Sequence, residues 1–148
     1  MYTATILIVD DSNDIRMMLQ HLLTCAGYHT IEAANGQEAV RLARQYRPAL
    51  VLLDLNLPAL DGWEVARRIR AEPALDETLL MAMTGYCYGS ATQAALDAGC
   101  ASVLLKPLDF EQLTNQIETH LHARSTTAEK VYQKAVGAPD YYAMTHAA

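Results

Sequence analysis

Three aspartates, a threonine and a lysine hold equivalent places in this 148-residue chain, each directly after a short apolar run. Asp10 and Asp11 follow Ile6-Leu7-Ile8-Val9, and Asp54 follows Ala49-Leu50-Val51-Leu52-Leu53. Thr84 ends Thr78-Leu79-Leu80-Met81-Ala82-Met83, and Lys106 ends Ala101-Ser102-Val103-Leu104-Leu105. Brought together, three carboxylates repel and cannot all stay ionised without a cation. Their oxygens, with water and carbonyls, suit a hard octahedral ion such as Mg²⁺. A hydroxyl from Thr84 and a fixed positive charge from Lys106 are the donors that the equatorial oxygens of a phosphoryl group require. With a cation neutralising the pocket, the Asp54 carboxylate can act as a nucleophile toward phosphorus.

Whether these residues meet depends on the elements that carry them. Continuous apolar runs bounded by polar or turn residues read as strands buried on both faces. Tyr28-His29-Thr30-Ile31-Glu32 alternates instead and reads as an edge strand. Five helical patterns lie between and after the strands. Ile15, Met18, Leu19, Leu22 and Leu23 form an apolar stripe, with Ser12 or Asn13 as the cap and Gly27 just past the end. Ala39, Val40, Leu42 and Ala43 form a second, entered through Asn35-Gly36; Trp63, Val65, Ala66 and Ile69 form a third, broken before Pro73. Ala91, Ala94, Ala95 and Ala98 form a small-residue stripe closed by Gly99, and Phe110, Leu113, Ile117 and Leu121 a fifth after Asp109. Strict β-α alternation predicts a doubly wound α/β domain, a parallel sheet with right-handed crossovers and helices on both faces. Ligands of such sheets bind outside the carboxyl ends of the strands, so all five residues point to one place.

Each residue alone has a plainer explanation. Asp10-Asp11 before a helix favours its positive end, and a lone Thr or Lys at a strand end is usually structural. The coincidence of four strands with four chemically matched ends is what argues for chemistry.

The composition is globular, 51% hydrophobic and 19% charged, with a mean hydropathy of +0.01. A formal net charge of −6 argues against a nucleic-acid partner, whose phosphates are met by basic faces. No basic region leads into a long apolar stretch at the start, and no run reaches membrane-spanning length, which predicts a cytoplasmic protein without membrane contact. Cys25, Cys87 and Cys100 form no CxxC pair and read as free buried thiols. His21, His29, His120, His122 and His146 share no plausible site and are expected at the surface, as is the basic patch Arg67-Arg68 with Arg70. From Arg124 the composition turns polar, dividing the chain into a domain over 1–123 and a loosely ordered tail over 124–148.

The chain resembles the receiver domain of two-component response regulators, over about residues 4 to 123. The matching stretches are Ile6-Leu7-Ile8-Val9-Asp10-Asp11-Ser12 and Leu52-Leu53-Asp54-Leu55-Asn56-Leu57-Pro58-Ala59-Leu60-Asp61-Gly62. Met83-Thr84-Gly85 follows, then Asp97-Ala98-Gly99-Cys100-Ala101 running into Leu105-Lys106-Pro107. The resemblance implies a flavodoxin-like (βα)5 fold with a five-stranded parallel sheet in the order 2-1-3-4-5. It implies phosphotransfer to Asp54 from a sensor histidine kinase or a phosphotransfer protein, and signalling to a downstream protein target rather than turnover of a substrate. Asp10, Asp11, Asp54 and the backbone carbonyl of Asn56 would then serve Mg²⁺, Thr84 and Lys106 the phosphoryl oxygens, and Gly85 would keep the space beside the hydroxyl open. Lys106-Pro107 would be a cis peptide. Asn56 and Tyr86 would control attack by water on the phosphorylated state, with the Tyr86 ring expected to shield it.

One departure is Val103, where such domains usually carry an aromatic that swings inward on activation. An aspartyl-nucleophile phosphatase of the haloacid dehalogenase type is a rival, but it needs a second acid where Asn56 stands. A flavin module is another, and Asp10, Asp11 and Asp14 would repel its phosphate. The tail is too short for a DNA-binding output domain, so the chain is expected to be a stand-alone receiver or a phosphorelay piece of a larger hybrid protein. Its fourth helix, fifth strand and fifth helix offer a surface for a homodimer or partner, which Val131, Tyr132, Val136, Tyr141 and Tyr142 would extend.

Overall fold

A computed structural model describes residues 3–85 and 89–136, with side chains described through residue 123. The elements alternate as anticipated: β1 Thr5–Val9, α1 Asn13–Cys25, β2 His29–Ala33, α2 Gly36–Tyr46, β3 Leu50–Asp54 and α3 Gly62–Arg70. A 3-10 turn at Pro73–Leu75 precedes β4 Leu79–Thr84, α4 Gly89–Asp97, β5 Ser102–Leu105 and α5 Phe110–Val136. The strands form one parallel sheet in the order β2-β1-β3-β4-β5. β2, the alternating strand, lies at an edge, where only half its side chains need burial.

The three central strands are apolar on both faces because both are covered. Leu7, Val9, Val51, Leu53, Leu80 and Ala82 share one cluster with Ala39, Val40 and Ala43 of α2, Val65, Ala66 and Ile69 of α3, and Ala95 of α4. On the opposite face Ile6, Ile8, Leu50, Leu52, Met81 and Met83 are fully buried, as are Leu19 and Leu23 of α1 and Leu113 at the start of α5. Each such Leu, Ile or Val contributes on the order of 1.5–3 kcal/mol by leaving water.

Local signals set the helix starts. Ser12, Asn35 and Asp61 each accept a hydrogen bond from the backbone N–H three residues on, at Ile15, Glu38 and Glu64. Gly27 and Gly99 take positive φ past the ends of α1 and α4, the conformation that needs no Cβ.

Several expectations are corrected. Met18 is exposed although its spacing places it with the α1 stripe, and Met17 beside it is more so; the buried stripe narrows to Leu19 and Leu23, with Ile15 and Leu22 half-buried. Among the described residues of α4 only Ala95 is fully covered, while Ala94 faces solvent, because alanine favours helix wherever it points. Cys100 is buried as expected, with burial pushing its thiol up to about 11, but Cys25 is exposed; Cys87 lies outside the described residues. Arg67 and Arg68 do form a solvated pair with Glu64. Arg70 instead folds back, its guanidinium donating to the carbonyls of Leu75, at 3.0 Å, and Thr78. It thereby ties the end of α3 to the segment that leads from the 3-10 turn into β4.

The chain divides into two units, Met1–Thr114 and Asn115–Ala148, and every candidate residue lies in the first. In the second, α5 continues to Val136, past the change of composition at Arg124. Ala128, Glu129, Lys130, Gln133, Lys134 and Ala135 are good helix formers, and no glycine or proline intervenes before Gly137. Among the described residues, no helix is long and apolar enough to cross a membrane.

Candidate functional site

Asp54 is the last residue of β3 and Thr84 the last of β4, so both leave the sheet at its carboxyl edge. Asp10 and Asp11 follow β1 directly, and Lys106 follows β5. Parallel pairing puts those ends side by side: Val9 is opposite Leu53, Asp54 opposite Met83, and Thr84 opposite Leu105. The Lys106 amide donates to the Thr84 carbonyl at 2.8 Å, joining the last two ends. The Lys106-Pro107 peptide is cis.

The side chains converge as the strand ends do. Asp10, Asp11 and Asp54 each bring a carboxylate oxygen within 4.8 Å of the others. Lys106 Nζ donates to Asp10 Oδ2 at 2.8 Å and lies 3.3 Å from Asp54 Oδ2. The two buried carboxylates are pinned by the same local device, a hydrogen bond from the amide two residues on. Ser12 N–H reaches Asp10 Oδ1 and Asn56 N–H reaches Asp54 Oδ1, both at 2.9 Å. Asp10, Asp54 and Thr84 are almost fully buried, while Asp11 and Asn56 face solvent.

One lysine is therefore shared between the two buried carboxylates, with Asp11 a third negative charge beside them. Burial pushes the Asp54 carboxyl above the ordinary aspartate range; the Asn56 amide and the Lys106 charge oppose the rise, and the Asp10 charge adds to it. Burial pulls the Lys106 ammonium down, but its hydrogen bond to Asp10 and the charges of Asp54 and Asp10 outweigh it, so its net shift is upward. The lysine favours Asp10, its nearer partner, which leaves the Asp54 charge under-compensated. A hard divalent cation fits that deficit, since the donors are all oxygen and three are carboxylate.

The neighbourhood shows what spacing alone does not. Gly62, at the start of α3, approaches β3 so closely that a Cβ there would lie 2.5 Å from the Asp54 carbonyl oxygen and 2.5 Å from Leu55 Cα. Its position after Asp61 in the turn was the sequence signal. Arg16, one turn into α1, donates to the carbonyl of Asp10; an arginine at a helix start carries no sequence signal of that contact. A Cβ on Gly85 would meet nothing within 4 Å among the described residues, so packing does not demand glycine there. Val103 is half-buried against the apolar cluster, and Trp63 packs there as well. His21, His29 and His122 are exposed and His120 half-buried, all away from the acidic cluster in sequence and element; His146 lies outside the described residues, as do Tyr86, Cys87 and Tyr88.

A family profile described as the response regulator receiver domain matches residues 6–118. Sporulation initiation phosphotransferase F of Bacillus subtilis is 33% identical over 126 residues, 84% of this chain and 99% of that protein. The polar-differentiation response regulator DivK of Brucella anthropi is 31% identical, covering 79% of this chain and 95% of its own length. Among solved structures, the Vibrio cholerae chemotaxis protein CheY4 superposes with a TM-score of 0.76 at 30% identity, over 80% of this chain and 98% of that one. The receiver domain of the sensor histidine kinase PA1611 from Pseudomonas aeruginosa, solved with a magnesium ion in its active-site cleft, gives 0.75 at 28% identity, over 82% and 99%.

Proposed function

This chain belongs to the response regulator receiver family, the phosphoacceptor domains of two-component signalling, and we propose that Asp54 is the residue that accepts its phosphoryl group. The observation that carries this reading is the convergence of Asp10, Asp11 and Asp54 within 4.8 Å under a single lysine at the carboxyl edge of the sheet. An Asp54 carboxylate oxygen forms the bond to phosphorus as the bond from phosphorus to the donor nitrogen breaks, and the donor imidazole keeps the electron pair. Lys106 meets the phosphoryl oxygens with positive charge and Thr84 with a hydroxyl, where charge spreads in the transition state. Asp10, Asp11, Asp54 and the Asn56 carbonyl would hold Mg²⁺, which supplies charge neutralisation to the pocket and to the incoming phosphoryl group. The burial that raises the Asp54 carboxyl keeps bulk water from screening those interactions.

The donor is a sensor histidine kinase or a phosphotransfer protein, and the output is contact with a downstream protein in the cytoplasm. The only chemistry is self-directed: gain of the phosphoryl group and its loss to water. Leu96, Leu105 and Phe110 are exposed on α4, β5 and α5, which supports a partner or dimer surface there. A phosphatase of the haloacid dehalogenase type lacks its general acid here. The Asn56 side chain has no titrating proton to give a leaving group.

Incubation with a small phosphodonor and Mg²⁺ should add one phosphoryl mass, removable by hydroxylamine, and Asp54→Asn should add none. Full labelling of that variant at another aspartate defeats the assignment.

A further inference from the structure

Arg16 takes no part in the chemistry above, yet its guanidinium joins the loop that carries the acidic pair to the start of α1 and to β2. From α1 its side chain runs back toward the helix N-terminus, as helical side chains do. Nη1 donates to the Asp10 carbonyl at 2.6 Å and Nη2 to Asn13 Oδ1. Nε lies 3.7 Å from Glu32 Oε1 on the edge strand β2. Only 13% of the Arg16 side chain is exposed, which shields its bond to the Asp10 carbonyl, whereas Asn13 and Glu32 are themselves exposed and add less.

The bond to the Asp10 carbonyl has a consequence for Asp11. That carbonyl belongs to the peptide plane joining Asp10 to Asp11, and a peptide is rigid, so fixing its oxygen fixes the amide from which Asp11 departs. On the far side, the plane joining Asp11 to Ser12 is fixed by the Ser12 N–H bond to Asp10 Oδ1. Asp11 is thus held between two anchored planes, with its exposed carboxylate aimed by backbone. Asp10 itself is tied to β2 by its amide, which donates to the Ala33 carbonyl at 3.2 Å.

We propose that Arg16 is a positioning residue for the cation site, orienting Asp11 through the Asp10 carbonyl and docking that loop against β2 through Glu32. The inference rests on the reading of Asp10, Asp11 and Asp54 as a Mg²⁺ pocket. Charge and positioning predict opposite outcomes. Arg16 is a cation beside a cation site, so removing its charge alone should tighten Mg²⁺ binding. Losing its orienting bonds should weaken binding, and removal of groups that orient metal ligands typically costs 10–100-fold in affinity.

Mg²⁺ alone is titrated calorimetrically into wild type, Arg16→Gln, Arg16→Lys, Asn13→Ala, Glu32→Gln and Asp11→Ala, with melting in chelator as the check on folding. Arg16→Gln should raise the Mg²⁺ dissociation constant about tenfold, the low end of that range, since the effect passes through one backbone group. Arg16→Lys should weaken binding too, because an ammonium keeps the charge but not the fork that reaches two acceptors. Asn13→Ala and Glu32→Gln, which leave the guanidinium in place with one partner fewer, should shift it in the same direction by a smaller factor. An affinity for Arg16→Gln equal to or tighter than wild type overturns the proposal. Should that variant not fold, affinities for Asn13→Ala and Glu32→Gln both unchanged overturn it equally. Failure of the underlying pocket reads differently: wild type does not bind Mg²⁺, or Asp11→Ala binds as well as wild type.

Discussion

Gly62→Ala adds one methyl group at the place where α3 starts against the end of β3, and it tests whether packing there sets the position of Asp54. The new Cβ would lie 2.5 Å from both the Asp54 carbonyl oxygen and Leu55 Cα, and 3.1 Å from the Asp54 carbonyl carbon. All three are backbone atoms, so no flexible side chain can swing away. To restore ordinary contact near 3.4 Å the two elements must part by about 0.9 Å. That would also stretch the 3.2 Å bond from the Gly62 amide to the Leu55 carbonyl. Overpacking of this kind costs about 1–3 kcal/mol in stability. Function should suffer more than stability, because a misplacement of ~1 Å at a reacting group costs about a hundredfold in rate. The assay is urea unfolding together with the rate of labelling by a small phosphodonor at saturating Mg²⁺, below the variant's melting temperature. Gly85→Ala is the control beside the same pocket: its Cβ meets nothing within 4 Å among the described residues, so stability should change by less than about 0.5 kcal/mol. If Gly85 keeps phosphoryl space open, that variant should label poorly while folding normally. Gly62→Ala with wild-type stability and wild-type labelling would refute the reasoning.

Mg²⁺ should raise the melting temperature by mass action, worth about 2.7 kcal/mol at a hundred times its dissociation constant, and Asp11→Ala should lose most of that rise; thermal scans with and without chelator decide it. In chelator at pH 7, Asp54→Asn should be more stable than wild type, because burial raises the Asp54 carboxyl above its ordinary 3.8. The stabilising protonated form is fully present below 3.8 and is lost as pH rises through the raised value, so the variant's advantage should vanish in acid; an advantage that persists at pH 3 contradicts the mechanism. Ala59 is exposed and holds a left-handed φ of 63°, so Ala59→Gly should gain on the order of 0.5–1 kcal/mol, read as a higher urea midpoint at unchanged slope. Tyr86→Ala should speed loss of the phosphoryl group several-fold, about 1 kcal/mol in the barrier; decay after donor removal that is unchanged or slower speaks against a shielding ring.

The sequence alone determined the fold and the contents of the site. Ile6–Val9, Ala49–Leu53 and Thr78–Met83 have no polar face, which only a strand covered on both sides allows, and their alternation with 3.6-residue stripes leaves a parallel sheet as the outcome. Since every strand of such a sheet ends on the same edge, Asp10, Asp11, Asp54, Thr84 and Lys106 had to gather before any contact between them was known. Ser12, Asn35 and Asp61 were legible as caps for a similar reason, because capping bonds span three residues and are local.

The tertiary structure decided what depends on distant residues. Lys106 bonds to Asp10 across 96 positions, and only the crossovers and register determine that it leans there rather than toward Asp54. Arg70 looked like its neighbours Arg67 and Arg68, until the course of the chain after Pro73 brought carbonyls within its reach. Met18 satisfies the helical period yet is exposed, because α1 covers a strip of sheet narrower than its apolar stripe. Arg16 carried no signal as a site residue, and Gly62 only its place in the Asp61-Gly62 turn, for the same reason. A methyl group's worth of space against Asp54, or a guanidinium's reach to the Asp10 carbonyl, is a distance between packed elements, and no single element encodes it.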